Sequence, residues 1–387
     1  MPNRANRVDV PPTCGSRRAT GSCETLFVHS TMFSSCAFDR VNNAWLHIKF
    51  PVAQRLKNMA QAVVGPCYGC VGLDSSPPWR DKNGMTEDLT FDRSDVGPHG
   101  SAVSVSPLVR RLVAPNGGPY TFTGTCTYLI GRDDVVVLDP GPDDDVQFDA
   151  LVKAIGAAHV AAIIVTHTHK DHSPLSRRLK ALTAAPIIGC APHYAARALG
   201  AGEVNLLDAS SDLDYQPDRV MGEGDRFEGR DFRLEAVPTP GHTMNHLAFA
   251  LLEEKALFSG DHVMAWSTSI VAPPDGSMGA YMASLEKLMG RDEVIYWPGH
   301  GGPVTEPARF VRGLLHHRRM RATTITERVA AGDRTISVIV ERLYSGLDPK
   351  LKGAAALSVF AHLEELVARD VVKTEREARL GGEYWVG

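Results

Sequence analysis

Four predicted strands in this chain each run into residues that bind metal ions, and no other feature restricts the fold as much. Residues 161–165 pass directly into His167-Thr168-His169-Lys170-Asp171-His172. Residues 232–237 lead to Thr239-Pro240-Gly241-His242, residues 256–258 to Ser259-Gly260-Asp261, and residues 294–297 to Pro298-Gly299-His300. Short apolar runs closed by Gly and Pro read as strands that stop abruptly. Proline halts pairing there, and glycine permits the backbone angle that turns the next side chain inward. In extended chain, residues two apart face the same side, so His167 and His169 can reach one ion together. Asp171 and His172 then turn toward a second. Taken singly, a histidine after Pro-Gly is a turn residue, and an aspartate after glycine is a turn former or helix cap. Four strand ends with the same outcome outweigh that reading. Five histidines and two aspartates supply enough ligands for two transition-metal ions sharing one bridging group. Such a pair turns bound water into hydroxide near neutral pH.

The remaining pattern places those strands in an α/β framework. Residues 120–131 and 135–139 read as a strand pair around the turn Gly131-Arg132-Asp133. Helices are expected at 148–155, at 174–182 with Pro174 in the first turn, and at 280–289. Further strands are expected at 187–190 and 247–252. Strands interleaved with helices indicate sheets buried by outer helices. After Pro303 the character changes to helices at 307–329, 336–344 and 353–369, then two short arms at 370–373 and 383–386. Three helices and a two-stranded wing are the layout of a winged helix.

Charge divides the chain unevenly. Residues 1–84 hold ten Lys and Arg against five Asp and Glu, leaving 31 against 40 in the rest. A basic leader on an acidic body points to a tail or targeting segment. Its one expected helix is at 52–64. Arg4, Arg7, Arg17 and Arg18 in an acid-poor stretch suit a transit peptide. A disordered extension, or translation that begins at Met85, accounts for the leader equally well. The body of the chain is then 85–305, followed by the winged-helix region at 306–387. Cys14, Cys23, Cys36, Cys67 and Cys70 precede residue 71, leaving Cys126 and Cys190 for the body. That usage fits a reducing, cytoplasmic location, or the mitochondrial matrix if the leader is a transit peptide. Cys67 and Cys70 have metal or redox spacing, but no second pair accompanies them. No stretch nears the roughly 18 apolar residues of a membrane span, so a soluble protein is expected.

The ordered set Asp139, H-x-H-x-D-H at 167–172, His242, Asp261 and His300 resembles the metallo-β-lactamase superfamily over about residues 105–305. The resemblance implies a four-layer αββα sandwich. It implies one metal on His167, His169 and His242, a second on Asp171, His172 and His300, and Asp261 bridging both. Asp139 would orient a ligand histidine by hydrogen bonding. Zinc suits these ligands, and Mn or Fe would be tolerated. Residues 239–250, 258–288 and the winged-helix tail look like β-lactamase-like proteins related to a mitochondrial endoribonuclease. The basic leader and His262-Val263-Met264 depart from that pattern, and neither touches a ligand position.

The chemistry expected is attack of a metal-bridged hydroxide on a phosphorus or carbonyl centre, with no Ser or Cys nucleophile. Asp171 would help orient or deprotonate the water. His246, four residues after His242, is the candidate proton donor to the leaving group, against a role as a packed supporting histidine. Branch resemblance favours phosphodiester cleavage of single-stranded RNA. The alternative is a glyoxalase II-like hydrolase of a small thioester, ester or lactam. A non-enzymatic regulator using the winged helix is the third reading, which a complete ligand set disfavours. His316, His317, Arg318, Arg319 and Arg321 form a basic run that reads by default as a solvated helix face, with contact to the phosphates of single-stranded RNA as the functional alternative.

Overall fold

The computed structural model describes residues 89–94, 96–200, 202–205 and 210–387, all within one compact unit. The helix expected at 52–64 and the Cys67 and Cys70 pair lie outside the described residues.

Two sheets form the centre. The first comprises β1 (Val103–Ser104), β2 (Val109–Val113), β3 (Cys126–Gly131), β4 (Asp134–Leu138), β5 (His159–Val165), β6 (Ile187–Gly189) and β7 (Arg219–Val220), side by side in that order. Pairing is antiparallel from β1 to β4 and parallel from β4 to β7. The second sheet holds β8 (Arg226–Glu228), β9 (Arg233–Pro238), β10 (Leu247–Leu251), β11 (Ala256–Gly260) and β12 (Ile295–Pro298), ordered β12-β11-β10-β9-β8.

Strand alternation explains the layering. Leu247, Phe249 and Leu251 of β10 join Leu129, Val136 and Ile163 of the first sheet in one core. Ala248 and Ala250, on the opposite face, join the outer core instead. There α3 (Met278–Met289) and α4 (Pro307–Ala330) cover the second sheet with Tyr281, Leu285, Val311 and Leu314. On the other side α1 (Asp145–Ile155) and α2 (Leu175–Thr183) bring Leu151, Ile155 and Leu179 to the first sheet. The expected four-layer αββα sandwich is the observed one.

The tail contains α5 (Ile336–Leu343), α6 (Lys352–Ala368) and an antiparallel pair, β13 (Lys373–Thr374) with β14 (Tyr384–Trp385). A third core unites Ile339, Phe360, Leu363 and Tyr384 with Ile325 and Val329 from the end of α4. One helix therefore serves two cores, and the boundary expected at 305/306 falls at its start rather than between independent bodies.

Two element boundaries also moved. The strand expected from residue 120 starts at Cys126, because Phe122 and Gly124 take positive φ and turn the chain before Thr125 bridges to His300. The first arm of the wing starts at Lys373, not 370. Asp370 at φ +60° ends α6, and the Val371 amide returns to the Leu366 carbonyl at 2.9 Å. No described helix is long and apolar enough to cross a membrane.

Candidate metal centre

Strand ends from both sheets meet at one edge of the sandwich, as binding sites in open α/β sheets do. β5 delivers the 167–172 loop, β9 delivers His242, β11 Asp261 and β12 His300. Gly299 makes the last step feasible: a Cβ there would stand 2.4 Å from Asp261 Oδ1. Gly241, at φ +140°, lets the His242 loop lie against the Tyr281 backbone, where a Cβ would approach to 2.3 Å.

All seven predicted side chains are brought together. His169 Nδ1 lies 3.1 Å from His167 Nε2 and 3.0 Å from His242 Nε2. Asp261 Oδ2 is 3.6 Å from His242 Nε2 and 3.3 Å from His300 Nε2, while its Oδ1 is 3.5 Å from His172 Nε2. Asp171 Oδ2 sits 3.2 Å from His300 Nε2 and 3.4 Å from His172 Nε2. The atoms fall into two groups: His167, His169, His242 and Asp261, then Asp171, His172 and His300. Asp261 reaches toward both.

Ring nitrogens do not gather this closely for their mutual benefit. Their outer partners are hydrogen bonded away from the centre. His172 Nδ1 donates to Asp139 at 2.9 Å, His242 Nδ1 to the Ile270 carbonyl at 2.5 Å, and His300 Nδ1 faces the Gly124 carbonyl at 3.3 Å. With those N–H groups outside, the Nε2 lone pairs converge inward, which suits a cation. Charge points the same way. Burial opposes protonation of His300, yet Asp261 and Asp171 hold its pKa up to about 9. Burial, reinforced by His242, drives His169 down to about 3. The centre attracts positive charge but cannot seat it on every ring, and this donor set fits divalent metal ions.

Residues 120–300 match the metallo-beta-lactamase superfamily model, and residues 335–383 match the beta-lactamase associated winged helix domain. The chain carries a metallo-beta-lactamase superfamily domain followed by a beta-lactamase associated winged helix domain. It is similar to a Beta-lactamase-like protein 2 homolog from Caenorhabditis elegans, 26% identical over 70% of this chain and 87% of that one. An Atrochrysone carboxyl ACP thioesterase from Aspergillus chevalieri is 28% identical over 71% of this chain and 85% of its own. A Beta-lactamase domain protein from Burkholderia ambifaria shares the fold, with a TM-score of 0.64 at 21% identity, covering 77% of this chain and 97% of that one.

Within this metallo-beta-lactamase domain, Asp139 does what was expected of it. Its Oδ1 accepts from the Thr166 amide at 2.8 Å, and its Oδ2 from the Thr166 hydroxyl at 2.7 Å and from His172. His246 sits as the packed supporting histidine that was weighed against a proton donor. Its Nδ1 meets the Thr239 hydroxyl at 2.8 Å, and its Nε2 accepts from the Asp261 amide at 3.1 Å. Fully buried and engaged at both nitrogens, it steadies Asp261 and does not line the cavity. Asp171 does line the cavity, and its Oδ2 accepts from the Thr125 hydroxyl at 2.9 Å.

The basic run on α4 does not present its charges on one face. Arg318 is buried, donates to the Ser269 carbonyl and lies 5.2 Å from the centre of the Tyr281 ring. Arg319 pairs with Glu286 at 2.7 Å, and Arg321 lies over Tyr344 at 4.8 Å. Helical spacing turns Arg318, Arg319 and Arg321 toward three different neighbours.

Two further side chains support the loop. Asp212 accepts from Ser173 at 2.7 Å and from Arg177 at 2.8 Å, while its amide donates to the Thr168 carbonyl. Asn245 donates to the Thr168 hydroxyl at 2.9 Å. Together they clamp the 167–172 loop. Nothing in a polar, unpatterned stretch signals Asp212, but Asn245 follows His242 closely enough that its position offered a hint.

Proposed function

We propose that this protein hydrolyses acyl thioesters, or esters of similar reactivity, with zinc at both metal positions. His167, His169 and His242 would hold one ion, Asp171, His172 and His300 the other, and Asp261 would span the two. When bound, such a pair lowers the pKa of a shared water and polarises the scissile carbonyl. The chain's own residues hold this arrangement: Asp139 fixes the His172 ring, Thr125 fixes Asp171, and His246 fixes the Asp261 backbone.

The observation that carries the reading is the lining of the cavity over the cluster. It has a volume of about 390 Å³ and walls that include Tyr120, Ile270, Ala272, Ala354 and Leu357, with no Lys or Arg among the described lining residues. That size is typical of a small-molecule site. An RNA backbone needs cations along its path. An acyl chain needs apolar walls.

Leaving-group chemistry agrees. Outside the candidate ligands, Asp275 is the one carboxyl among the described residues of the cavity wall. Burial would raise its pKa, but His193 and Asn205 outweigh that and hold it below the usual carboxylate range, so it stays ionised and cannot donate. A thiolate, with a thiol pKa of about 8.5, leaves without a proton far more readily than an alkoxide does. The thioesterase among the similar proteins supports the same class.

The test offers the purified protein acyl-coenzyme A thioesters and single-stranded RNA, each with and without chelator. Chelator-sensitive thioester turnover with intact RNA is the expected result. RNA cleavage with inert thioesters would sink the proposal and restore the phosphodiester expectation.

A further inference from the structure

The winged-helix domain reaches the metal cavity, and it does so with apolar or missing side chains. Gly353, Ala354 and Leu357 lie on the first turns of α6, at spacings that put them on one face, and all three line the cavity. The same cavity is lined by Asp171, Asp261 and the histidines. A substrate carbonyl held at those ligands would have α6 as part of the wall around its acyl chain.

We propose that α6 sets the length of acyl group accepted, with Gly353 and Leu357 as the residues that determine it; this rests on the thioester reading above. Leu357 is 8% exposed, yet it belongs to none of the three apolar cores, including the one its own helix builds with Val359, Phe360 and Leu363. Its side chain is buried for the cavity rather than for the domain. Gly353 is the complementary case. A Cβ there would meet nothing within 4 Å, and its backbone is outside the left-handed range that requires glycine. Glycine is a poor helix former, so neither conformation nor packing calls for it at this position. What its missing side chain provides is room at the α6 end of the cavity. A winged-helix domain here acts as a gauge on a small-molecule site.

The experiment uses the full chain with its metals and three variants: Gly353→Leu, Gly353→Ala and Leu357→Ala. Calorimetry measures binding of butyrate, octanoate and dodecanoate, the carboxylate products. Hydrolysis of the matching acyl-coenzyme A thioesters is followed in parallel. Each methylene that enters apolar surroundings should tighten binding about fourfold until the chain outgrows the cavity. Gly353→Leu should bring that limit to shorter chains, weakening the longest bound product by about tenfold while butyrate changes by less than about twofold. Gly353→Ala should move it less, in the same direction. Leu357→Ala should move the limit to longer chains, and because the glycine variants act in an exposed turn, they keep the test decisive if Leu357→Ala misfolds. An identical chain-length profile in folded variants, or no carboxylate binding at any length, overturns the proposal. The expected shifts in binding without any thioester turnover would uphold this gauge and sink the proposed function alone.

Discussion

Asp139 and His262 lie within one side chain of the candidate ligands, yet the surroundings ask opposite things of them. Asp139 has three donors on its two oxygens, and one of them is a ligand ring. Asp139→Asn would present an amide NH₂ to a donor it should accept from. Loss of such an outer partner lowers metal affinity about 10- to 100-fold, which competition with a chromogenic chelator would measure. Unchanged affinity would remove Asp139 from the site. His262 follows Asp261, and neither of its buried ring nitrogens has a partner in the structure. Burial, then the charges of His242 and Arg318, lower its pKa to about 3. The unfolded chain takes up a proton near pH 6.5, whereas the folded protein resists until about pH 3. Its contribution to stability is therefore full above pH 6.5 and is lost as pH falls through that window. His262→Phe should make the stability profile shallower by about 1.4 kcal/mol per pH unit between pH 6 and 4. Urea midpoints across that range would show it, and parallel profiles would refute it. The ligands were legible in the sequence because each ends a strand. For His246 the sequence left a proton donor and a packed support side by side, because its bond to the Asp261 amide exists only once β9, β10 and β11 are in register.

At the scale of elements, strands that end in ligands were readable and short edge strands were not. β7 and β8 have two and three residues, too few for any period to emerge from sequence. α4 was legible as a helix but not in its role. Its basic run read as a solvated face or a phosphate contact, whereas Arg318 turns inward to the Ser269 carbonyl. The next residue, Ile270, offers the carbonyl that orients His242. A helix outside the catalytic sheets thus buttresses a ligand through one loop. Arg318→Met keeps most of the apolar stem and leaves the Ser269 carbonyl without that donor. An orphaned buried acceptor costs about 1–3 kcal/mol, to be read from urea unfolding. Metal affinity should fall with it, since the loop that aims His242 is loosened. A loss of stability with affinity intact would mean that the loop holds its shape without the arginine.

Across the whole molecule, the two matched domains are physically one body, because α4 places Val311 and Leu314 in the outer core of the sandwich and Ile325 and Val329 in the winged-helix core. Melting either half of α4 exposes the apolar side chains that half buries in its own core and leaves the other half without its helical continuation. α6 adds a second tie, bringing Ala361 to the outer core and Leu357 to the cavity. Unfolding should therefore be cooperative over both. Metal ions bind only the folded centre, and ligand at about 100 times its dissociation constant stabilises the native state by about 2.7 kcal/mol. Were the domains independent, chelation would lower the melting temperature of the sandwich alone and split the calorimetric transition in two. Coupled through α4, they should melt in one transition that moves down as a whole when the metals are removed. A breaking point introduced at the middle of α4, such as Thr323→Pro, should then uncouple them. In that variant the chelator should shift the sandwich transition and leave the winged-helix transition in place, and a single metal-sensitive peak there would show that α6 alone is sufficient to join them.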